Sequence, residues 1–271
     1  MIKQAIIPLA GLGTRLLPLT SVIPKELLPI NGKPGLEYIL DECIEAGIKE
    51  IIFIISNKKK IIKKYFYNDV FFKKIIKKKK KDKRLKNEYL KIIKYKKMIK
   101  FVYQNIPRGT GDALLKCQKF IKSKHFLMLL PDDLIMKKNC SLEMFKIHKK
   151  YHSSVIASKK VKTKDVSRWG IFKLRKYIKN NFLIDDVFEK PSIKAAPSNY
   201  AVIGRYILPY KIFKILRKQK RGQNGEIHIT DAIKTLIVQK NKFIGHVFSG
   251  KYFDCGTAKG YVNSSLEISR L

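Results

Sequence analysis

Short apolar runs alternate with amphipathic stretches along the N-terminal part of the chain. Residues 3–9 form an apolar run that leads into a glycine turn, and residues 48–56 form a second run rich in β-branched side chains. Between them, apolar residues recur at helical spacing from Leu36 until Gly47. A strand, a crossover helix and a second strand form a βαβ unit, which predicts a parallel sheet buried on both faces.

The same alternation continues towards the C-terminus and predicts one α/β domain over residues 1–271. Further strands are predicted at 99–104, 125–133, 153–161, 169–174 and 200–207. Further helices are predicted around 114–121, around 141–151 and from Thr230 onwards.

A lysine-rich segment at residues 58–98 interrupts this pattern. Its residues Leu85, Tyr89, Ile92 and Lys96 share one helical face. The segment is therefore predicted to be a helical insertion rather than a disordered tail.

The chain carries 59 Lys and Arg against 21 Asp and Glu, a formal charge of +38. Residues 58–100 contain 19 lysines and one arginine, and the other basic residues are spread over the whole chain. A nucleic-acid footprint would be concentrated on one face. The dispersion favours a solvated basic surface and no nucleic-acid partner, with nucleic-acid binding as the alternative.

The cysteines and the apolar segments favour a soluble cytoplasmic protein. The four cysteines are far apart, without a C-x-x-C pair, which argues against a zinc site and a disulfide framework: Cys43, Cys117, Cys140 and Cys255. No uncharged apolar stretch approaches the roughly 18 residues that span a bilayer, and no secretory signal pattern is present. We therefore expect no membrane association.

The turn at residues 11–15 (GLGTR) resembles half of a dinucleotide-binding motif. That motif requires a third glycine where Leu16 stands, and Pro18 disfavours a long helix directly after the turn. The departures argue against a dinucleotide and favour a backbone cradle for another phosphate. Arg15 and Lys25 supply the positive charge that a polyphosphate requires.

Seven blocks in the same order resemble the sugar-1-phosphate nucleotidylyltransferase family. The run IPKELLP at 23–29 is more similar to its uridylyl-transferring members than to its thymidylyl-transferring members. The blocks are LAGLGTRLLPLTSVIPKELLPI (9–30), YQNIPRGTGDALL (103–115), LLPDD (129–133), RWGIF (168–172), VFEKPSIKAAPSNYAVIGRYIL (187–208), GQNGEIHITDAI (222–233) and YFDCGTAKGY (252–261).

The resemblance implies a fold and a reaction. The implied fold is a Rossmann-like mixed, mainly parallel sheet flanked by helices, of the nucleotide-diphospho-sugar transferase type. The implied reaction joins UTP and glucose 1-phosphate, with Mg²⁺, to give UDP-glucose and pyrophosphate. A homo-oligomer is also implied. The alternative is the same chemistry with another nucleotide, such as dTTP, or another sugar.

Two consecutive carboxylates, Asp132 and Asp133, follow an apolar strand and therefore lie at the edge of the sheet where α/β proteins bind ligands. Their side chains point to opposite sides if the strand stays extended, so one of them is expected to hold Mg²⁺. The resemblance assigns Asp132 and Asp254 as metal ligands. For Asp133, a loop or helix-cap role is the alternative.

The resemblance also implies roles for other residues. Gln104 would face the uracil edge, Glu189 would accept hydrogen bonds from glucose hydroxyls, and Lys190 would hold the sugar phosphate. A surface ion pair is the alternative for Glu189 and Lys190. The implied catalytic residues are Arg15, Lys25 and Lys190; the nucleotide-binding residues are Ala10, Gly11, Gly13, Thr14, Arg15, Gln104 and Gly109; the sugar-binding residues are Gly170, Glu189, Lys190 and Gly204.

The chain departs from the family pattern in the loop expected beside the base. PRGTGDA at residues 107–113 replaces the more usual PLGLGHA, which places an aspartate where histidine is common. Thr257 stands where the family often has a second aspartate.

Overall fold

The computed structural model describes residues 2–222 and 225–271. The strands are β1 (Gln4–Pro8), β2 (Pro29–Ile30), β3 (Lys33–Pro34), β4 (Glu50–Ile55), β5 (Ile99–Tyr103), β6 (His125–Leu129), β7 (Asp133–Met136), β8 (Ser154–Lys160), β9 (Gly170–Ile178), β10 (Asn181–Glu189), β11 (Tyr200–Pro209), β12 (Phe243–Val247) and β13 (Lys251–Asp254). The α-helices are α1 (Gly35–Glu45), α2 (Lys60–Tyr67), α3 (Val70–Lys78), α4 (Lys83–Met98), α5 (Thr110–Cys117), α6 (Cys140–Tyr151), α7 (Ile212–Lys218), α8 (Ile229–Val238) and α9 (Ala258–Ser269).

The main sheet runs β5-β4-β1-β6-β11-β8-β12-β10-β9 across the described ranges. The pairs β5–β4, β4–β1, β1–β6 and β8–β12 are parallel. Strand β11 is antiparallel to β6 and β8, and β9 and β10 form an antiparallel hairpin. The predicted α/β fold with a mixed sheet is confirmed, but the sheet is not mainly parallel as expected: of its eight neighbouring pairs, four are parallel and four are antiparallel. Three of the four parallel pairs join β1, β4, β5 and β6 in the N-terminal half. In the C-terminal half, β9 and β10 follow each other directly as an antiparallel hairpin, which needs no crossover helix.

Helices cover both faces of the sheet, as the apolar strands predict. Consecutive residues of β1 alternate between the two cores: Ile7 belongs to the core that includes residues of α1 and α6, and Ile6 belongs to the core that includes residues of α5, α7 and α8. This alternation follows from the two-residue period of a strand. Among the described residues, no helix is both long and apolar enough to cross a bilayer.

The lysine-rich segment forms α2, α3 and α4. Ile62 and Phe66 of α2 pack in the core with Ile92 and Tyr95 of α4, whereas the lysines lie mostly on the outer surface. Lys91 forms ion pairs with two carboxylates of α1, Glu37 and Asp41, which tie the segment to that helix. The helical prediction agrees with the structure, and the status of the segment as an insertion stays a prediction.

Candidate active site

Two neighbouring cavities lie at the carboxyl edge of the parallel strands and share Leu130 and Asp132 as lining residues. We name them the glycine-loop cavity, about 550 Å³, and the Glu189 cavity, about 470 Å³. The glycine-loop cavity is lined by the predicted residues Ala10, Gly11, Gly13, Thr14, Lys25, Gln104 and Gly109. The Glu189 cavity is lined by the predicted residues Arg15, Gly170, Glu189, Lys190, Gly204 and Asp254.

The predicted site residues therefore fall into two groups that nearly match the two expected ligands. Arg15 is the exception, because it lines the Glu189 cavity although it was expected with the nucleotide. Among the described residues, Glu189 and Lys190 are exposed and form no ion pair with each other, so the surface ion pair expected as the alternative is not formed. Lys190 has a left-handed backbone with φ of 44°, and its amide donates to Trp169 O at 3.0 Å.

The glycine turn after β1 ends in short 3-10 turns rather than a long helix, in agreement with the expectation from Pro18. Gly13 has φ of 71°, a left-handed conformation that glycine adopts without strain. The Thr20 hydroxyl donates to Gly13 O at 2.8 Å and fixes the turn. A Cβ at Gly11 would meet no atom within 4 Å, so the backbone there is open on one side.

Lys25 and Asp132 form an ion pair where the two cavities meet, with Nζ 2.6 Å from Oδ2. Burial alone would raise the pKa of the Asp132 carboxyl, but the charge and hydrogen bond of Lys25 outweigh it and leave that pKa below its usual value. Burial likewise opposes the charge on Lys25, yet Asp132 and Glu26 raise the pKa of the ammonium group. Both groups are therefore charged at neutral pH.

The antiparallel ribbon of β7 and β13 brings the second predicted metal ligand next to the first. Cys255 N donates to Asp132 O at 2.8 Å, and Gly256 N donates to Asp254 Oδ1 at 2.9 Å. A Cβ at Gly256 would lie 2.8 Å from Asp132 Oδ2 and 3.2 Å from Asp254 Oδ1. The two carboxylates thus approach one point that only a glycine leaves open.

Asp133 has a different role from the loop or helix cap that was the alternative for it. The strand predicted over 125–133 ends at Leu129, and Asp133 is the first residue of the following strand, β7. Its carboxylate accepts hydrogen bonds from Gly204 N at 2.9 Å and from Tyr252 Oη at 2.5 Å. Burial and the neighbouring Asp132 charge raise the pKa of Asp133 to about 6. Asp133 therefore links β7 to β11 and β13.

A buried ion pair beneath the site escaped the sequence analysis. Arg205 is fully buried in β11 and donates to both carboxylate oxygens of Glu42 on α1, at 2.8–3.1 Å. The same guanidinium donates to the carbonyl oxygens of Leu130 and Asp133, at 3.2 and 2.7 Å. It therefore holds the chain on both sides of Asp132. The feature of the sequence that could have indicated this pair is an arginine within the otherwise apolar run of β11.

Gln104 follows β5 and is 4% exposed. Its Nε2 donates to Asp112 Oδ2 at 2.7 Å and to Gly109 O at 3.3 Å. Gly109 has φ of 93°, and a Cβ there would lie 2.6 Å from Ile227 O. The glycine at 109 is thus required by the protein's own backbone, whereas the sequence analysis had assigned it to the nucleotide.

Comparisons with known proteins relate the chain to nucleotidyl transferases. Residues 4–270 match the family described as nucleotidyl transferase. The chain is 38% identical over 271 residues to a putative UTP–glucose-1-phosphate uridylyltransferase of Methanocaldococcus jannaschii, covering 99% of this chain and 93% of that protein. It is 36% identical to the UTP–glucose-1-phosphate uridylyltransferase of Streptococcus pyogenes, covering 99% of this chain and 89% of that protein.

Solved structures show the same fold. A UDP-glucose pyrophosphorylase complexed with UDP-glucose superposes with a TM-score of 0.87 at 34% identity, covering 100% of this chain and 99% of that one. A UTP-bound UGPase from Acinetobacter baumannii superposes with a TM-score of 0.88 at 32% identity, covering 99% of this chain and 93% of that one. Because the family match extends over residues 4–270 and these alignments are nearly complete, the chain belongs to the nucleotidyl transferase family.

Proposed function

We propose that the protein is a UTP–glucose-1-phosphate uridylyltransferase, which forms UDP-glucose and pyrophosphate. The observation that carries the proposal is the shared position of Asp132 between two cavities whose linings differ in chemistry. One has a glycine turn and an amide, as a nucleoside triphosphate requires, and the other has an exposed carboxylate and ammonium group, as a sugar phosphate requires. The names of the relatives and neighbours support the same substrates.

In this proposal the glycine-loop cavity binds UTP. Backbone N–H groups around Gly11, Gly13 and Thr14 contact the phosphates, Ala10 lies beside the nucleoside, and Gln104 and Gly109 lie at the base. The Glu189 cavity binds glucose 1-phosphate. Glu189 accepts hydrogen bonds from sugar hydroxyls, Lys190 pairs with the phosphate, and Gly170 and Gly204 lie beside the sugar as lining residues of this cavity.

The reaction joins the two ligands by attack of a glucose 1-phosphate oxygen on the α-phosphorus of UTP, with pyrophosphate leaving in line. The second pKa of a phosphate monoester is about 6, so the nucleophile is already ionised and needs no general base. The barrier arises from bringing two anions together and from charge that develops on the pyrophosphate. Lys25 lies where the cavities meet, and Arg15 lines the Glu189 cavity, so both can offset this charge.

The donor set fits Mg²⁺, which uses one or two carboxylates and completes its shell with phosphate oxygens and water. Asp132 and Asp254 would hold it, since both approach the open point beside Gly256. Among the described residues, no cluster of three or more His, Cys, Asp or Glu offers an all-protein metal site. When bound, Mg²⁺ supplies positive charge next to the phosphates.

A pyrophosphate-release assay tests the proposal. UTP and dTTP are each supplied with glucose 1-phosphate and Mg²⁺, and we expect the higher kcat/KM with UTP. A clear preference for dTTP would replace the uridylyl assignment by its thymidylyl alternative. Omission of the sugar phosphate is the control for simple triphosphate hydrolysis.

The charge of +38 motivates the second candidate, nucleic-acid binding. Titration of mixed-sequence DNA over a salt series separates the two functions, because non-specific binding weakens steeply with salt. Tight binding at physiological salt without pyrophosphate release would favour the second candidate.

The free buried cysteines and the triphosphate substrate both favour a cytoplasmic location. The homo-oligomer stays a prediction.

A further inference from the structure

The orientation of the Gln104 amide is determined by its neighbours. Its Nε2 faces the Asp112 carboxylate at 2.7 Å and the Gly109 carbonyl oxygen at 3.3 Å. A carboxylate and a carbonyl only accept hydrogen bonds, so a flipped amide would place its oxygen against two other oxygens. The NH₂ group is therefore held towards α5, and the remaining polar atom of the side chain is the acceptor Oε1.

That acceptor is available to a ligand. Within residues 2–222 and 225–271, Gln104 Oε1 makes no hydrogen bond, and it does not belong to the polar atoms that are sealed from solvent without a partner. Gln104 itself lines the glycine-loop cavity. A nucleotide base in this cavity would therefore meet a fixed acceptor rather than an amide that can turn.

We propose that Asp112 is a positioning residue that sets the base selectivity of the glycine-loop cavity by fixing Gln104 as an acceptor. The inference rests on the proposed function in requiring that a pyrimidine nucleotide binds there. Uracil presents an N3–H donor, which matches Oε1. Cytosine presents a bare N3 lone pair, which repels Oε1. Thymine has the same N3–H as uracil, so the device rejects CTP and leaves the choice between UTP and dTTP to other contacts.

A purely structural explanation of Asp112 is a favourable charge in the first turn of α5. Asp231 provides a matched control for this explanation. It lies in the first turn of α8 and also accepts a hydrogen bond from a glutamine amide, Gln219 Nε2, at 3.3 Å. Asp231 is exposed and lines neither cavity. Removing the charge of either aspartate would thus weaken the start of its own helix, whereas only a change at Asp112 would lower the base selectivity.

The experiment compares wild type with Asp112→Asn and Asp231→Asn. Asparagine has the shape of aspartate, but its amide can either accept from Gln104 Nε2 or donate to Gln104 Oε1, so it no longer fixes which polar atom of Gln104 faces the base. Initial rates give kcat/KM for UTP and for CTP with saturating glucose 1-phosphate and Mg²⁺. We expect the UTP-to-CTP ratio to fall about tenfold or more in Asp112→Asn and to stay within about twofold of wild type in Asp231→Asn.

A ratio that is unchanged in a folded Asp112→Asn would overturn the inference, as would an equal fall of the ratio in both variants. If Asp112→Asn does not fold, Asp112→Ala serves as the second variant, because it frees the Gln104 NH₂ without adding a donor, and it too must lower the ratio. Calorimetric titration of UTP and CTP, without sugar, separates this inference from the proposed reaction. Wild type that prefers UTP over CTP in binding, with the ratio lowered in Asp112→Asn, supports the inference even if no pyrophosphate is released. Wild type that binds neither nucleotide overturns it.

Discussion

Lys25 Nζ lies 2.6 Å from Asp132 Oδ2 at the junction of the two cavities. The pair puts a fixed positive charge beside the carboxylate expected to hold Mg²⁺, and the negative charge of Glu26 also raises the pKa of the lysine. Asp132 is thus held in one place before any substrate binds. Such preorganised charge stabilises a developing anion without reorganisation during the reaction.

Replacement of Lys25 by methionine should lower kcat by roughly 100-fold or more, because the positive charge at the reacting phosphates is removed while side-chain volume is kept. Initial rates at saturating UTP, glucose 1-phosphate and Mg²⁺ measure the effect. Lys33→Met is the matched control, since Lys33 pairs with Asp41 and lines neither cavity. Equal kcat values in the two variants would remove Lys25 from the chemistry.

Gly256→Ala should raise the Mg²⁺ concentration for half-maximal rate by about tenfold, because the new methyl group would lie 2.8 Å from Asp132 Oδ2 and 3.2 Å from Asp254 Oδ1. The measurement is a Mg²⁺ titration at fixed saturating substrates. Gly222→Ala is the control, since a Cβ there meets its nearest atom at an ordinary 3.6 Å. An unchanged Mg²⁺ requirement in Gly256→Ala would place the metal elsewhere.

The buried pair of Arg205 and Glu42 should stabilise the fold as well as the site. Glu42→Gln leaves the Arg205 charge buried without a counter-charge, which should lower the free energy of unfolding by about 3–5 kcal/mol. Chemical denaturation measures this loss. The double variant Glu42→Leu with Arg205→Met should recover part of it. Lys234→Met breaks a more exposed pair with Asp186 and should cost less than about 1 kcal/mol.

The sequence predicted the N-terminal half of the fold well, because its information there is local. The runs that become β1, β4 and β5 are apolar, and α1 between the first two has a clear helical period with a glycine at its end. In contrast, β10 was not predicted, since Asp185 and Asp186 interrupt its apolar pattern. β12 was missed because it is short and contains Gly245, which packs against Phe182.

The parts of the site that could not be predicted depend on contacts between distant residues. Arg205 and Glu42 are 163 positions apart, so no local pattern relates them. Likewise, the Tyr252 hydroxyl reaches Asp133 because β13 pairs with β7. The resemblance to a family listed the residues of both cavities. It gave no reason to expect Arg15 beside the Glu189 cavity, because that position depends on the path of the chain after β1.

Glu189→Gln should raise KM for glucose 1-phosphate by about tenfold and leave KM for UTP within about twofold of wild type. The amide keeps one acceptor but loses the charge that strengthens hydrogen bonds from sugar hydroxyls. Steady-state kinetics with each substrate varied in turn measure the split. Lys194→Met, an exposed position that lines neither cavity, controls for general charge changes nearby. A rise in KM for UTP instead would exchange the ligands assigned to the two cavities.

His125 should make the stability of the protein depend on pH. Burial, together with the neighbouring His148 and Lys211, lowers the pKa of His125 from 6.5 to about 4 in the folded state. Between these values the unfolded chain binds the proton more tightly than the folded chain. Stability from this group is therefore complete above about pH 6.5 and is lost as the pH falls towards 4.

His125→Gln removes this titration, so its free energy of unfolding should fall less steeply than that of wild type between pH 6.5 and 4. The difference in the loss should be about 1 kcal/mol, because the half-buried ring is partly screened by solvent. Denaturation series at several pH values measure the slope, with the exposed His152→Gln as the control. Parallel slopes for wild type and His125→Gln would show that the His125 ring takes up its proton as readily in the folded chain as in the unfolded one.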